Sequence, residues 1–254
     1  MAKLNSEYCF LDFSDYGRIP GRKIAFLFKN TFVSPIHLTS SFIIVGTLAI
    51  IFLLLDYSIL AGLLLILKSI IDASDGALAR IRNNPSYVGR YYDSIADFIL
   101  NFLFLLAICI KTESPIWIML IAFFCMELQG TLYNFYYVIQ RHKTNGDETS
   151  QLIEKSPPKS FSYENQKTVN VLFFIYKLSY GTFDRMIYSI DIKAIEGKPF
   201  PNWFMSILSF YGLGFQLLIM ALLLSLNLHF YIIPFFIFYS IFIPIFVFIR
   251  KLWL

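Results

Sequence analysis

The sequence predicts an all-α polytopic membrane helix bundle: six transmembrane helices with an N-terminal interfacial helix, and both termini in the cytoplasm. The first observation behind this fold class is composition, because 57% of the 254 residues are hydrophobic and only 15% are charged. A soluble domain carries about 25% charged residues. The second observation is a series of apolar stretches of membrane-spanning length, and the third is the one-sided distribution of basic residues.

Each predicted span is a mostly apolar stretch close to the roughly 20 residues that a helix needs to cross the hydrocarbon core. Lipid offers the backbone no hydrogen-bond partners, so helices are the expected structure of such stretches. The second stretch is polar in its C-terminal half. In chain order the predicted spans cover residues 39–55, 58–81, 91–110, 116–138, 203–226 and 230–248.

Basic residues set the predicted orientation. Six spans place all but two of the 21 lysines and arginines on one side, which should be cytoplasmic. We therefore predict one membrane domain over residues 1–254, with a cytoplasmic and interfacial arm over 1–36 and a long cytoplasmic connection over 141–201. Within the arm, residues 21–32 mix basic and apolar side chains, which favours a helix lying on the inner leaflet over an ordinary linker.

Four aspartates lie near the predicted cytoplasmic ends of the second and third spans. Asp72 and Asp75 are three residues apart, so they share one face of the second helix. Asp93 and Asp97 are four residues apart and share one face of the third helix. The short polar turn over 82–86 makes the two helices antiparallel neighbours, which brings both pairs to a similar depth.

A bound metal is the expected reason for this concentration of acid. Four close carboxylates repel one another, and charge near the membrane interior is unfavourable unless it is compensated. Oxygen ligands favour Mg²⁺ or Mn²⁺ first and Ca²⁺ second, and four carboxylates can hold two ions, an arrangement suited to phosphoryl chemistry. The alternative is an ion-pair network of Asp72 with Lys68 and Asp75 with Arg80, which leaves two acids without a basic partner.

Small and basic residues between the aspartates predict a phosphate-bearing ligand beside the metal. Gly76 has no side chain, so a ligand can approach the backbone, and Ala79 is a small residue one turn beyond Asp75. Arg80 offers a planar fork for phosphate oxygens. Gly89 permits close contact just before the third helix.

These residues form one continuous pattern, Asp-x2-Asp-Gly-x2-Ala-Arg-x8-Gly-x3-Asp-x3-Asp, which reads DASDGALARIRNNPSYVGRYYDSIAD over residues 72–97. The pattern resembles the signature of the CDP-alcohol phosphatidyltransferase family at every defined position. Six helices with the motif bridging the second and third also look like that family. A shorter stretch, SPIHLTSSF, is similar to the Pro-x-x-Leu-Thr pattern at the start of the family's first helix, here Pro35, Leu38 and Thr39.

The resemblance implies transfer of a substituted phosphate from a CDP-linked donor to an alcohol acceptor, with release of CMP, by a homodimer. It implies that Asp72, Asp75 and Asp93 ligate metal. Asp97 would help to hold metal and would act as general base on the acceptor hydroxyl. The implied donor-binding residues are Gly76, Ala79, Arg80, Ser86 and Gly89.

Three residues outside the motif are candidates for contacts with the acceptor or with a phosphate. Lys68 lies within a span, where a lysine is a functional candidate by default; it contacts the acceptor or pairs with the first aspartate. Glu127 shares a helix face with Thr131 and Asn134, and this stripe shapes an acceptor pocket or makes interhelical hydrogen bonds. Arg185 reaches a phosphorylated acceptor or is a solvated residue near anionic lipid.

We expect an integral protein of the bacterial inner membrane, with its active site facing the cytoplasm and no nucleic-acid partner. CDP-diacylglycerol with a small alcohol is the first choice of substrates, and a CDP-aminoalcohol with diacylglycerol is the second. A prenyltransferase-like enzyme would need a second Asp-rich motif, and a cation transporter would need acids in the last two spans, which contain none. A non-catalytic family member is disfavoured by the intact motif.

Overall fold

The structure, a computed structural model, describes residue 4, residues 6–144 and residues 151–253. Every regular element in these ranges is a helix, which confirms the predicted all-α class. Short 3₁₀ turns connect several of them. The α-helices of the described residues are α1 (Arg18–Phe28), α2 (Pro35–Leu54), α3 (Ser58–Ile81), α4 (Tyr87–Lys111), α5 (Ile116–Lys143), α6 (Gln166–Ser179), α7 (Gly181–Ile190), α8 (Asn202–Leu208), α9 (Leu213–Ser225), α10 (Ile232–Tyr239) and α11 (Phe242–Trp253).

Several described stretches are long and apolar enough to cross a membrane. Two helical segments, Asn202–Tyr211 and Leu213–Ser225, are long and apolar enough only when taken together. They count as one span if a helix bent by 50° can cross the membrane. The remaining predicted span is α3, whose 24 residues make about 36 Å of helix. Its charged second half keeps it from qualifying by composition, so the structure supports four or five of the six predicted spans. The four stretches that meet the length and composition requirement by themselves are Pro35–Leu54, Tyr87–Lys111, Ile116–Lys143 and His229–Leu252.

Neither of the last two predicted spans is one continuous helix. The stretch 203–226 breaks at Gly212, where the backbone is extended between a 3₁₀ turn and α9. The N-terminal arm packs against this break, since a Cβ on Gly214 would lie 1.9 Å from the backbone oxygen of Ser14. The stretch 230–248 breaks between α10 and α11. Apolar length alone does not reveal such breaks.

A helix is present where the interfacial helix is predicted, but it begins and ends earlier than residues 21–32, and its position at a membrane surface stays a prediction. Helix α1 packs along α3 with Ala25 fully buried, while Leu27 on another side is 75% exposed. The Arg82 guanidinium explains the early end, because it donates to the carbonyls of Lys29 at 3.0 Å and Thr31 at 2.9 Å just beyond the helix. A side chain from the α3–α4 turn thus fixes the arm onto the bundle.

The end of the bundle far from the aspartates is built from tight turns. Asp56, Glu113 and Asn227 adopt positive φ angles of 69°, 52° and 57°, and each closes the turn between two neighbouring helices. An ion pair between Lys111 and Asp56 joins two of these turns. The long helices therefore run antiparallel, and the α3–α4 turn lies at the opposite end.

Polar side chains link the later helices to α5. Gln216 of α9 donates to Gln129 of α5 at 3.1 Å. Arg250 of α11 donates to Asp191 at 2.6 Å, and the Tyr136 hydroxyl donates to the same carboxylate at 2.6 Å. The two contacts of Asp191 hold the later part of the predicted connection, around residue 191, against the bundle.

Candidate active site

The α3–α4 hairpin positions all four aspartates. Its turn is closed by Asn83, which has a positive φ of 50°. Ser86 caps α4, because its hydroxyl accepts a 2.8 Å hydrogen bond from the Gly89 amide. The two helices then rise side by side, with Asp72 and Asp75 on one and Asp93 and Asp97 on the other, as the spacing predicts.

Three of the aspartates form a compact group, which we call the aspartate triad: Asp72, Asp75 and Asp93. One carboxylate oxygen from each lies within 4.8 Å of the others. The buried Oδ1 of Asp93 has no hydrogen-bond partner within the part of the chain that the structure describes. A buried carboxylate oxygen without a partner is costly, and three converging carboxylates suit a hard divalent cation, so the residues fit a metal ion.

Asp97 lies beside the triad and is bound to a lysine. The Lys68 ammonium forms a buried ion pair with Asp97 and also lies 3.2 Å from Asp72 Oδ2. Lys68 is only 2% exposed. The sequence predicted that the lysine would pair with Asp72 or contact the acceptor; the structure has the Asp72 pairing and adds Asp97 as a second partner.

Thr39 supports the triad from α2. Its hydroxyl donates a 2.5 Å hydrogen bond to Asp75 Oδ2, and the threonine is only 1% exposed. This contact gives a physical role to the short motif at the start of the first span, since a threonine one turn inside α2 orients a predicted metal ligand.

A cavity of about 580 Å³ opens on one side of the triad. We call it the Arg80 cavity. A Cβ on Gly76 would lie 3.2 Å from Arg80 Nη1, so glycine leaves room for the guanidinium at this wall. Asp75 and Asp93 reach the cavity from the triad. All the residues predicted to bind the donor line it: Gly76, Ala79, Arg80, Ser86 and Gly89.

The connection before α6 covers part of the Arg80 cavity. Phe161 lines the cavity and stacks on Tyr87, with ring centroids 4.9 Å apart. Glu164 accepts hydrogen bonds from the Ser86 hydroxyl at 2.7 Å and the Val88 amide at 2.9 Å. Sequence reasoning missed Phe161 and Glu164, because no local spacing connects them to a motif more than 60 residues earlier.

A second cavity of about 400 Å³ lies on the other side, and we call it the Asp97 cavity. Asp72 reaches it from the triad, and the N-terminal arm contributes Asp12. The polar stripe predicted on α5 also lies here. The lining includes Asp72, Asp97, Asn101, Glu127, Thr131, Asn134, Tyr133, Tyr137, Tyr176, Tyr180 and Asp184.

The three tentative acceptor residues fall in different places. Lys68 is buried beneath Asp72 and Asp97. Glu127 lines the Asp97 cavity and accepts a 3.0 Å hydrogen bond from the Asn101 amide. Arg185 lines a neighbouring, smaller cavity of about 210 Å³, which shares Tyr176 and Asp184 with the Asp97 cavity, and it donates to the Gly181 carbonyl at 2.8 Å. The structure therefore brings Glu127, and not Arg185, to the Asp97 cavity.

Fold and site together define a helical membrane-type protein whose acidic, metal-suited centre lies between two cavities. Over residues 32–243 the chain matches the family model described as CDP-alcohol phosphatidyltransferase, and this stretch includes the whole aspartate motif. The protein belongs to the CDP-alcohol phosphatidyltransferase family. The family transfers a phosphoryl-alcohol group from a CDP-alcohol and is generally metal dependent. A comparison with curated proteins finds no match.

Proposed function

We propose that the protein is a metal-dependent transferase that moves a phosphatidyl group from CDP-diacylglycerol to a small alcohol and releases CMP. The position of the aspartates between the Arg80 cavity and the Asp97 cavity carries this proposal. Transfer from a nucleotide-linked donor to a hydroxyl requires two ligands to meet at one phosphorus in a fixed geometry. Two cavities, each lined by two of the four aspartates, supply such a meeting point.

In the proposed reaction, the acceptor oxygen attacks the phosphorus that carries diacylglycerol. The bond between that phosphorus and the CMP oxygen breaks, and CMP leaves with the bonding electrons. Asp97 takes the proton of the acceptor hydroxyl. Lys68 holds the Asp97 carboxylate in place, and Arg80 binds the donor's diphosphate oxygens.

The aspartate triad would hold the metal, with Asp97 as the predicted further ligand, and Mg²⁺ or Mn²⁺, as one ion or two, is the expected occupant. The bound metal would neutralise the negative charge that develops on the departing CMP. The orphaned oxygen of Asp93 supports a cation at this position.

We also propose that α3 crosses the membrane, which brings the number of transmembrane spans to six. The site would then face the cytoplasm of a bacterial inner membrane. The concentration of basic residues near the α3–α4 turn and both termini supports this orientation. A lipid donor suits such a position, because its acyl chains remain in the bilayer while the cytidine head reaches the site. A homodimer remains a prediction from the family.

The alternative within the same family is transfer from a CDP-aminoalcohol to diacylglycerol. It would use the same motif and release the same nucleotide, so the aspartates do not separate the two reactions. Identification of the substrates therefore requires a direct assay with both classes of donor.

The test is CMP release by the purified protein in detergent, with Mn²⁺ or Mg²⁺. CDP-diacylglycerol is supplied with a panel of alcohols, and CDP-choline is supplied with diacylglycerol. We expect release that requires metal and falls at least about 100-fold in Asp97→Asn, while CDP and Mn²⁺ still bind. Asp56→Asn, an exposed aspartate at the far end of the bundle, is the matched control. Full activity of Asp97→Asn would exclude the general-base role.

A further inference from the structure

The Asp97 cavity has an unusual charge composition for a site that receives an alcohol. Its lining carries six carboxyl groups, and no lysine, arginine or histidine among the described residues lines it. The six are Asp12, Asp15, Asp72, Asp97, Glu127 and Asp184. A phosphate group on the acceptor would have to approach this concentration of acid without a basic side chain to bind it.

The nearby cations offset this acidity only in part. Arg90 lies near Asp184 and is paired with Glu154, and the Arg141 guanidinium lies 5.3 Å from the centroid of the Tyr137 ring. Lys68 forms ion pairs with Asp97 and Asp72 and does not itself line the cavity. The Arg18 Nε lies 4.0 Å from Asp15 at a well-exposed position, where water screens the pair. The carboxyl groups on the α5 and α7 walls, Glu127 and Asp184, form no ion pair in the described structure.

Aromatic rings complete the lining on both sides. Tyr133 and Tyr137 stack with ring centroids 5.6 Å apart, and Tyr176 and Tyr180 lie with centroids 5.5 Å apart. All four line the cavity. Tyrosine faces attract cations, and cages of aromatic rings with carboxylates are the recurrent way in which proteins bind ammonium groups.

A buried hydroxyl in the cavity wall favours a polar ligand in this cavity. Thr131 lines the cavity, is only 5% exposed, and its Oγ1 has no hydrogen-bond partner among the described residues. Buried polar groups in folded proteins are nearly always paired. A ligand with polar hydrogens or a hydroxyl would supply the partner.

We infer that the Asp97 cavity binds a small amino alcohol, an acceptor that carries a cationic ammonium group and no phosphate. This inference rests on the proposed function, since it names the acceptor class for the same site. The acceptor hydroxyl lies at Asp97, which takes its proton. The ammonium group lies among the tyrosines and the carboxylates of Glu127 and Asp184, and it takes no part in bond making or breaking.

The acceptor panel tests charge directly. Choline and ethanolamine are compared with 3,3-dimethylbutan-1-ol, the uncharged isostere of choline, and with glycerol 3-phosphate, each with CDP-diacylglycerol and Mn²⁺. We expect CMP release with at least one amine, at least about tenfold faster than with the isostere. Glycerol 3-phosphate should support no release above the rate without acceptor.

Variants of the lining residues test whether the preference for an amine acceptor arises in the Asp97 cavity. Glu127→Gln and Asp184→Asn keep the side-chain shape and remove charge, and each should raise the KM for the amine about tenfold with little change in the KM for CDP-diacylglycerol. Asp56→Asn removes an equivalent charge far from the cavity and should change neither value. An unchanged amine KM in both cavity variants would overturn the inference.

The failures are distinguishable. Release that is fastest with glycerol 3-phosphate, or equal with choline and its isostere, would overturn the amino-alcohol assignment and leave the transferase proposal intact. Product from CDP-choline and diacylglycerol alone would overturn the assignment too, because the ammonium group would then belong to the donor. No release with any pair, despite measured binding of CDP with Mn²⁺, would overturn the proposed function and this inference with it.

Discussion

Lys68 and Asp97 form a buried ion pair across the α3–α4 interface, and the same ammonium lies 3.2 Å from Asp72. One cation therefore connects the proposed general base with a member of the aspartate triad. A charge pair buried this deeply is sensitive to loss of either partner, because the remaining charge is left without compensation. Lys68 is thus a positioning residue, which acts through Asp97.

Lys68→Met should reduce both stability and turnover. It leaves Asp97 buried without its partner, and such losses cost about 3–5 kcal/mol of unfolding free energy. Thermal unfolding in detergent and CMP release measure the two effects. The double variant Lys68→Met/Asp97→Asn should recover part of the stability, because the more deeply buried of the two carboxylates that Lys68 contacts no longer carries an uncompensated charge, and it should stay inactive. Strictly additive stability losses would contradict the pairing.

Arg80→Lys should raise the KM for the CDP-linked donor about tenfold, because a point charge replaces a bidentate fork. Gly76→Ala should have a related effect, since the new Cβ would lie 3.2 Å from Arg80 Nη1 and would displace the guanidinium. Donor KM from CMP-release kinetics measures both. Arg22→Lys on the exposed side of α1 is the matched control. Unaltered donor KM in Arg80→Lys would remove Arg80 from the donor site.

The sequence was sufficient for the parts of the site that lie on one hairpin. Helical spacing alone places Asp72 with Asp75 and Asp93 with Asp97, and a short turn fixes the two helices as neighbours. The same reasoning could not find Phe161, Asp12 or Tyr180, which reach the cavities from distant segments by tertiary packing. Sequence reasoning also predicted the last two spans as continuous helices, because the length of an apolar stretch does not reveal a break such as that at Gly212.

Phe161→Ala should raise the donor KM several-fold, roughly 2- to 10-fold, since it removes a ring that stacks on Tyr87 at the Arg80 cavity. The turnover number should change less than KM, because Phe161 lines the donor cavity and has no role in the proposed bond making or proton transfer. Phe174→Ala provides a matched control, as this ring is 68% exposed on α6. Equal donor KM values in the two variants would show that the stacked ring contributes nothing to donor binding.

Asp184 should make stability and acceptor binding depend on pH. Burial raises the pKa of Asp184 from 3.8 to about 7, and the negative charge of Glu154 acts in the same direction, while the Tyr176 hydroxyl and Arg90 oppose it. The folded protein therefore binds the proton more tightly than the unfolded chain does. The resulting contribution to stability is complete below about pH 4 and is lost as pH rises to about 7.

Asp184→Asn should remove that dependence, so unfolding temperatures in detergent should show wild type losing stability relative to the variant between pH 4 and 7. Acceptor binding should change in the opposite direction, because the carboxylate attracts an ammonium group only when it is ionised. Choline has no titrating ammonium group, so a fall in its KM as pH rises through about 7 reports the protein alone. If the choline KM depends on pH in the same way in wild type and in Asp184→Asn, Asp184 is not part of the acceptor site.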